Sequence, residues 1–543
     1  MFGGLAILYV VLGLFVLTDD AIYSGDIGVK FVQARALAAH HFRSLDLPYP
    51  GAFLDPERAF FTLRPPFVIT AGAETQAIFP PASAIVQALA VRAAGVRGMI
   101  AVTIVAGLVT LWATARMSEP ALRPYTLLAA GLAGPLWFFA VSGWEHAQAV
   151  ACGAAAFAVA MNGHDSRPAA IAGALLGLGV TQRDEVMLLS PGLLAVLWVQ
   201  TRSWRPLAIA ACGVAAVILA ATAVDVWWFG RPPAAHLRHA VHIMRGSWLG
   251  GEPGIDVPSL RPFTNRERYE TVIWYWLLGY GNDRMIALYT AGFAVAIAMR
   301  LIWKTSAGLL VWVAAIVVLA TIDLAEVVRA PKWLAGMLRV SPYFVFAALP
   351  PPRGRRWTPA HGALVFTAFV YVLLAYGGVD TAGGKGLGPR LLLPLFPMLA
   401  VASVATIRDY LSAPARLERV IGGAGALLLA VALVVHAAGT IPAYVARNGE
   451  DGSAIMTVKT SPERIVICDD MFTAQLLMPL YFRKVLYLAD APSLARDLAE
   501  RLDRARVGSV LLVSRHEPSL ELAPLKPGPV ERRGRFVIQH WTR

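Results

Sequence analysis

The chain of 543 residues is 57% hydrophobic and 15% charged, with a mean hydropathy of +0.58 and a formal net charge of +13. A soluble globular protein carries about 25% charged residues, so this composition excludes a soluble enzyme, a disordered chain and a coiled coil, and describes a polytopic membrane protein. The basic excess does not point to nucleic acid, because no basic block is interleaved with aromatics, and Lys and Arg beside apolar spans are the ordinary cytoplasmic-loop bias.

The first apolar run, residues 2–17, lacks a basic leader and is followed by Thr18-Asp19-Asp20 rather than by a small-residue cleavage site, which predicts a retained first helix. Beyond it, Ile27, Phe31, Ala34, Leu37, Ala38 and Phe42 fall three or four apart and predict an amphipathic helix, with Ser24 as N-cap and Asp26 in the first turn. Two roles are open to Asp26. It can simply stabilise the helix start, or, kept ionised by the helix end, it can accept a proton from a hydroxyl nucleophile.

Residues 79–95 read either as a further span or as an interfacial helix. Stretches suited to crossing about 30 Å of hydrocarbon are expected at 2–17, 97–115, 124–141, 146–161, 168–181, 186–200, 206–229, 284–300, 305–322, 334–349, 360–377, 389–407 and 420–440, about thirteen in all. Glu145 and His146 stand where 146–161 begins, as an ordinary helix start or as a functional site at membrane depth. Arg183, Asp184 and Glu185 lie between two short spans, facing a polar cavity or pairing with each other. His236, His239 and His242 have a spacing that suits a metal, although a basic amphipathic surface helix explains it with less. Lys385 and Arg390 belong to a glycine-rich connection, GGKGLGPR, where a guanidinium suits a lipid phosphate or serves as an interfacial anchor.

Residues 441–543 hold 27 of the 83 charged side chains, which marks a separate soluble domain. RIVICDD, KVLYLAD and SVLLVSR, separated by helix-period stretches 471–482 and 492–505, predict a β-α-β-α-β layer with a parallel sheet, to which FVIQHW adds an edge strand. The domain contains no glycine-rich nucleotide loop and no nucleophile elbow. The three cysteines, Cys152, Cys212 and Cys468, imply no redox or zinc chemistry, and the sequence leaves any cofactor or divalent metal undetermined.

Orientation follows from charge. With the N-terminus inside and 79–95 interfacial, the short cytoplasmic connections carry 13 Lys/Arg against 5 in the short connections on the opposite side. The segment 18–96, the loop 230–283, the loop 378–388 and the C-terminal domain are then extracytoplasmic.

One apolar helix, an acidic residue opening a second helix (SGDIGVKFVQARAL), an extended stretch, and FPPASAIVQALAVRAAGVRG before the second span resemble the polyprenyl-phosphate-sugar-dependent glycosyltransferases of the GT-C superfamily. That superfamily includes protein O-mannosyltransferases and bacterial lipid A aminoarabinose transferases. SGWEHAQA at 142–149 and GPRLLLPLFP at 388–397 fit the same layout, which extends over residues 1–440.

The resemblance implies an α-helical polytopic GT-C-like domain, residues 1–440, followed by a small extracytoplasmic α/β domain, residues 441–543. It implies Asp26 as catalytic base, with Asp19 and Asp20 as runners-up, Glu145 and His146 as further catalytic residues, and Arg390 and Lys385 at the donor phosphate. The implied reaction moves a sugar from a polyprenyl-phosphate carrier to a hydroxyl of a glycan, lipid or protein acceptor, with inversion, on the outer face of a bacterial inner membrane. The partners are then the lipid-linked sugar, the acceptor and membrane lipids. A lipid or polysaccharide transporter and a non-catalytic envelope scaffold are the competing classes.

The charge asymmetry sets an expected outcome. A cysteine at Ser453 should react with a membrane-impermeant thiol reagent in intact cells and one at Gly354 should not; the reverse pattern would invert the topology.

Overall fold

The computed structural model describes residues 1–65, 67–71, 74–231, 264–279, 283–330, 334–378, 387–517 and 520–543. Among them, seven helices are long and apolar enough to cross a membrane: Pro81–Met117, Trp204–Trp228, Asp283–Ile302, Ala307–Arg329, Pro359–Gly378, Arg390–Leu411 and Arg416–Thr460. The first apolar run is helix α1, Phe2–Val16. It is followed by α2, Gly25–Ala39, and α3, Pro81–Met117.

The expected thirteen single spans are not all unbroken helices. The segment 124–141 is two short helices, α4 (Arg123–Gly131) and α5 (Leu136–Val141), parted at Gly134-Pro135, where proline cannot supply a backbone donor. Next come α6 (His146–Asn162), α7 (Ser166–Gln182), α8 (Ser190–Thr201) and α9 (Trp204–Trp228). At seventeen residues each, α6 and α7 are about 26 Å long at 1.5 Å per residue. The segment 334–349 is likewise a short helix, Met337–Val340, then a buried 3-10 stretch, Pro342–Ala348. Gly336, at φ +82°, lets the chain press onto the Gly279 backbone just before it.

Residues 79–95 form the first limb of α3. The helix breaks at Ala94 and Gly95, the latter at φ +58°, and continues as the second span. The two limbs fold so closely that a Cβ on Gly98 would run into the Ala90 carbonyl. This geometry is a separate helix hinged to a span, which an interfacial helix requires.

The last span continues without a break to Thr460, so the expected domain boundary at 441 falls inside a helix. Beyond it a five-stranded sheet is built from β3 (Ile465–Cys468), β4 (Val485–Leu488), β5 (Ser509–Ser514), β6 (Lys526–Arg533) and β7 (Phe536–Thr542), after a hairpin earlier in the chain, β1 (Val68–Ala71) and β2 (Glu74–Ala77). The order is β4-β3-β5-β7-β6, with β3 parallel to β4 and β5. FVIQHW was expected at the edge but lies between β5 and β6, antiparallel to both. The edge is instead KPGPVERR, whose prolines and charges are tolerated only where one side of a strand is unpaired.

This domain holds the segment after α2 against itself. The Leu488 N–H donates to the Phe60 carbonyl at 2.9 Å and the Tyr487 hydroxyl to the Gly51 carbonyl at 2.8 Å. Phe60 itself enters the core between the sheet and helix Pro492–Arg504. Asp55, wholly buried, accepts from the Ala59 and Phe60 N–H groups and from the Tyr49 hydroxyl. Gly354, at φ +78°, is a strained place for a side chain, so the exposed neighbour Arg356 is the better position for that cysteine.

Replacing Gly98 by Val should destabilise the fold by about 1–3 kcal/mol through overpacking at the α3 hinge. A lowered unfolding temperature of the detergent-solubilised protein would show it, and an unchanged one would mean the hinge has room.

Candidate functional site

Helix α2 was expected to be amphipathic, but it is buried nearly all round. The reason is packing on two sides, by α3 and by the segment Met471–Leu476 with Met478. Ser24 does occupy the N-cap with extended backbone, yet its side chain makes no capping bond. Cβ atoms at Gly25 and Gly28 would collide with Gln475, so these glycines let the C-terminal domain approach the turn that carries Asp26.

Asp26, Lys30 and Gln33 follow one another at intervals of four and three residues and so share one face of α2. Against this face stand Arg390, at the start of the 3-10 turn Arg390–Leu395, and Glu145, at the N-cap of α6. Gly143, at φ +81°, makes the turn that delivers Trp144, Glu145 and His146 there.

Arg390 donates from Nη1 to Asp26 Oδ2 at 2.9 Å, and its guanidinium lies 5.3 Å from the Trp144 ring centre. Lys30 Nζ donates to Glu145 Oε1 at 2.7 Å and sits 4.2 Å from the Phe79 ring centre. Arg183 donates to the same Glu145 oxygen at 3.1 Å, and its Nε reaches both Glu185 oxygens at 2.9 and 3.2 Å. Of the two readings open for Arg183 and Glu185, the pairing occurs and extends to Glu145. The result is an alternating row of charges: Arg390, Asp26, Lys30, Glu145, Arg183, Glu185.

Burial pushes the Asp26 carboxyl up, but Arg390 and Lys30 outweigh it and hold the group below the usual carboxylate range. Burial likewise pushes Lys30 down, opposed by Glu145 and Asp26. The side chains of Asp26 and Arg390 are 23% and 16% exposed, whereas Lys30 and Glu145 are 3% and 1% exposed. The first pair is open to a ligand and the second is structural.

His146 lies beside the rings of Phe139 and Trp144, with centres 5.5 and 5.2 Å apart. Its nitrogens are 3.6 Å from Glu145 Oε1 and 3.9 Å from Glu185 Oε1, beyond hydrogen-bond reach. Both of these nitrogens, with Glu145 Oε2 and Arg390 Nε, are buried without a partner among the described residues. Orphaned polar atoms of this kind cost about 1–3 kcal/mol each, so they mark room for a polar ligand or water beside the charge row.

The runner-up acids are engaged elsewhere. Asp19 pairs with Arg97, and Asp20 accepts from Lys459 Nζ at 2.7 Å. Lys385 and the histidines 236, 239 and 242 fall outside the described residues. Sequence reasoning missed Lys30. Its signal was the polar stripe Asp26-Lys30-Gln33 inside an otherwise apolar helix.

The search of family models and of curated proteins found no match. Among solved structures, the chain is similar to ArnT from Cupriavidus metallidurans in the apo state, at 14% identity and TM-score 0.47, covering 99% of this chain and 98% of that one. The same protein bound to undecaprenyl phosphate aligns at 13% identity and TM-score 0.47, with coverage of 99% and 97%. The oligosaccharyltransferase AglB from Archaeoglobus fulgidus, in complex with an inhibitory peptide and a dolichol-phosphate, aligns at 11% identity and TM-score 0.41, covering 94% of this chain and 69% of that one.

Removing the shared acceptor of the two buried cations should be costly. Glu145→Ala strands Lys30 and half-strands Arg183, and an uncompensated buried charge costs about 3–5 kcal/mol. Thermal unfolding in detergent should show a large loss for Glu145→Ala and a smaller one for Glu145→Gln, which keeps an acceptor oxygen; equal stabilities would contradict the structural role.

Proposed function

We propose that this chain is a membrane glycosyltransferase that moves a sugar from a polyprenyl-phosphate carrier to an acceptor hydroxyl at the outer face of a bacterial inner membrane. The observation that carries the reading is the contact between Asp26 and Arg390, residues 364 positions apart, joined at 2.9 Å in a partly open site. A base and a phosphate-binding fork stand side by side there.

The pair also suggests an order of events. A donor phosphate competes with Asp26 for the guanidinium, because a bidentate phosphate contact uses the same donors. Once Arg390 turns to phosphate, Asp26 loses its strongest counter-charge and its carboxyl rises toward the ordinary range. It is then free to take the proton of the acceptor hydroxyl. The hydroxyl oxygen forms its bond to the anomeric carbon as the bond to the phosphate oxygen breaks, and Arg390 offsets the charge that gathers on the leaving phosphate. One displacement of this kind inverts the anomeric centre. Lys385, five residues before Arg390 in the same glycine-rich connection, is assigned to the same phosphate.

A general base contributes roughly 10²–10⁴ in rate, so Asp26→Asn should lose turnover by that factor while folding and donor binding persist. Asp19→Asn and Asp20→Asn, paired away from the site, should remain active. If Asp26→Asn turns over normally and one of the other two is dead, the base has been misassigned; if all three are active, acid-base catalysis from this segment is excluded. Arg390→Lys should weaken donor use despite keeping the charge, and unaltered donor kinetics would reduce Arg390 to an anchor.

The pH dependence has a definite sign. The profile of kcat/KM reports the free enzyme, in which Asp26 is held below the usual carboxylate range. The rate should therefore stay level through neutral pH and fall only at acid pH. In Arg390→Gln only Lys30 still holds the carboxyl down, so the acid limb should move to higher pH; an unmoved limb would separate Asp26 from the reaction.

A further inference from the structure

We propose that the end of the helix bundle opposite the charge row binds one anionic phospholipid of the bilayer, its phosphodiester held between Arg116 and Arg167. The inference is independent of the transferase reading and gives this lipid no part in the reaction.

A groove of about 330 Å³ opens where α3 and α6 end and α7 begins. Helix α6 runs from the charge row to this groove in 17 residues, about 26 Å at 1.5 Å per residue. That nearly matches the thickness of a hydrocarbon core, about 30 Å, so the groove stands at the opposite membrane interface.

Its shape follows from helical spacing. Trp112 and Arg116 are four residues apart on α3, and so are Arg167 and Ile171 on α7. Each helix therefore presents a guanidinium at its end and a large apolar side chain one turn further in. Trp112 and Ile171 are 50% and 43% exposed, and Val159 on α6 lies between them in the wall. The wall is tied together, since Asn162 Nδ2 donates to the Arg116 carbonyl at 3.1 Å and to the Ala158 carbonyl at 2.7 Å. A Cβ on Gly163 would run into Pro168, so glycine here lets α6 turn closely into α7.

The two cations are uncompensated. The acids next to them in the chain are engaged: Glu119 accepts from Arg408 at 2.7 and 3.1 Å, and Asp165 caps α7 by accepting from the Arg167 N–H at 3.0 Å. Neither the Arg116 nor the Arg167 side chain has an ion pair or hydrogen bond among the described residues. A phosphodiester supplies oxygens for both guanidinium forks, and its acyl chain covers Trp112, Val159 and Ile171. No carboxylate lines the groove, so the ammonium of a zwitterionic head group finds no partner there. Free phosphate would leave the apolar wall bare. Bound in the groove, the lipid joins α3 to the two helices whose other ends carry Glu145 and Arg183.

Arginines at helix ends also reach the interface singly, without a site. Native mass spectrometry of the full-length, detergent-solubilised protein separates the cases, with dioleoylphosphatidylglycerol, dioleoylphosphatidylcholine and inorganic phosphate as probes. Two basic contacts at the membrane surface should favour the phosphatidylglycerol over the phosphatidylcholine by about tenfold, and Arg116→Gln with Arg167→Gln should remove that preference. Arg356→Gln, which deletes an exposed arginine outside the groove, should leave the preference intact. Equal affinity for the two lipids, or an equal loss in Arg356→Gln, would mean diffuse attraction without a site. Displacement of the lipid by inorganic phosphate would make the groove an ion site. Each of these results overturns the inference. The double variant breaks no side-chain contact, so its unfolding temperature without added lipid should match that of the unaltered protein. Should it fail to fold, Val159→Trp, which fills the groove and leaves its charge, takes its place and should abolish the preference.

Discussion

A carboxylate cannot be enclosed by apolar helices unless a cation stands against it, and the site of this protein is arranged around that requirement. Arg390, Asp26, Lys30, Glu145 and Arg183 alternate in sign across α2, the α6 N-terminus and the ends of two spans. Removing Glu145 leaves Lys30 buried and uncompensated. The row therefore fixes how α2 is oriented, and with it which way Asp26 faces. The deep pair, Lys30 with Glu145, serves as the anchor, while Asp26 and Arg390 at the more open end keep the freedom to exchange partners.

That orientation is reinforced from the C-terminal part of the chain. Gln475 and Met478 press on Gly25 and Gly28, and Lys459 and Asn448 on the last helix hold Asp20 and Thr18 just before α2. The segment after α2 contributes Phe60 to the core of the sheet domain and hydrogen-bonds to β4 through its backbone. The helix bearing the candidate base is consequently clamped between the membrane core and the C-terminal domain. The C-terminal domain thus helps to position the site.

Much of this was legible in the sequence because it depends on residue types that are expensive in an apolar chain. Asp26, Glu145 and Arg390 stood out in that way, and the structure brings the last two against the face of α2 that carries Asp26. The mutual contact of Asp26 and Arg390 could not be read, since no periodicity links positions so far apart. Lys30 was overlooked because a lysine in a helix expected to be amphipathic looks like its solvated face, and its burial against Glu145 and Phe79 joins residues far apart in the chain. The broken segments 124–141 and 334–349 were read as spans because their composition is apolar, although GLAGPLW and VSPY carry the glycine and prolines that interrupt them. In the sheet, KPGPVERR was passed over because prolines argue against a strand everywhere except at an edge, which is where it lies.

The account turns on whether Arg390 changes partners when the donor arrives. A structure of the protein with undecaprenyl phosphate bound is the direct measurement. The expected result is a phosphate within hydrogen-bond distance of the Arg390 guanidinium, with Asp26 released from its 2.9 Å contact and facing the space beside the phosphate. A phosphate bound elsewhere, with the Arg390–Asp26 pair intact, would contradict the account.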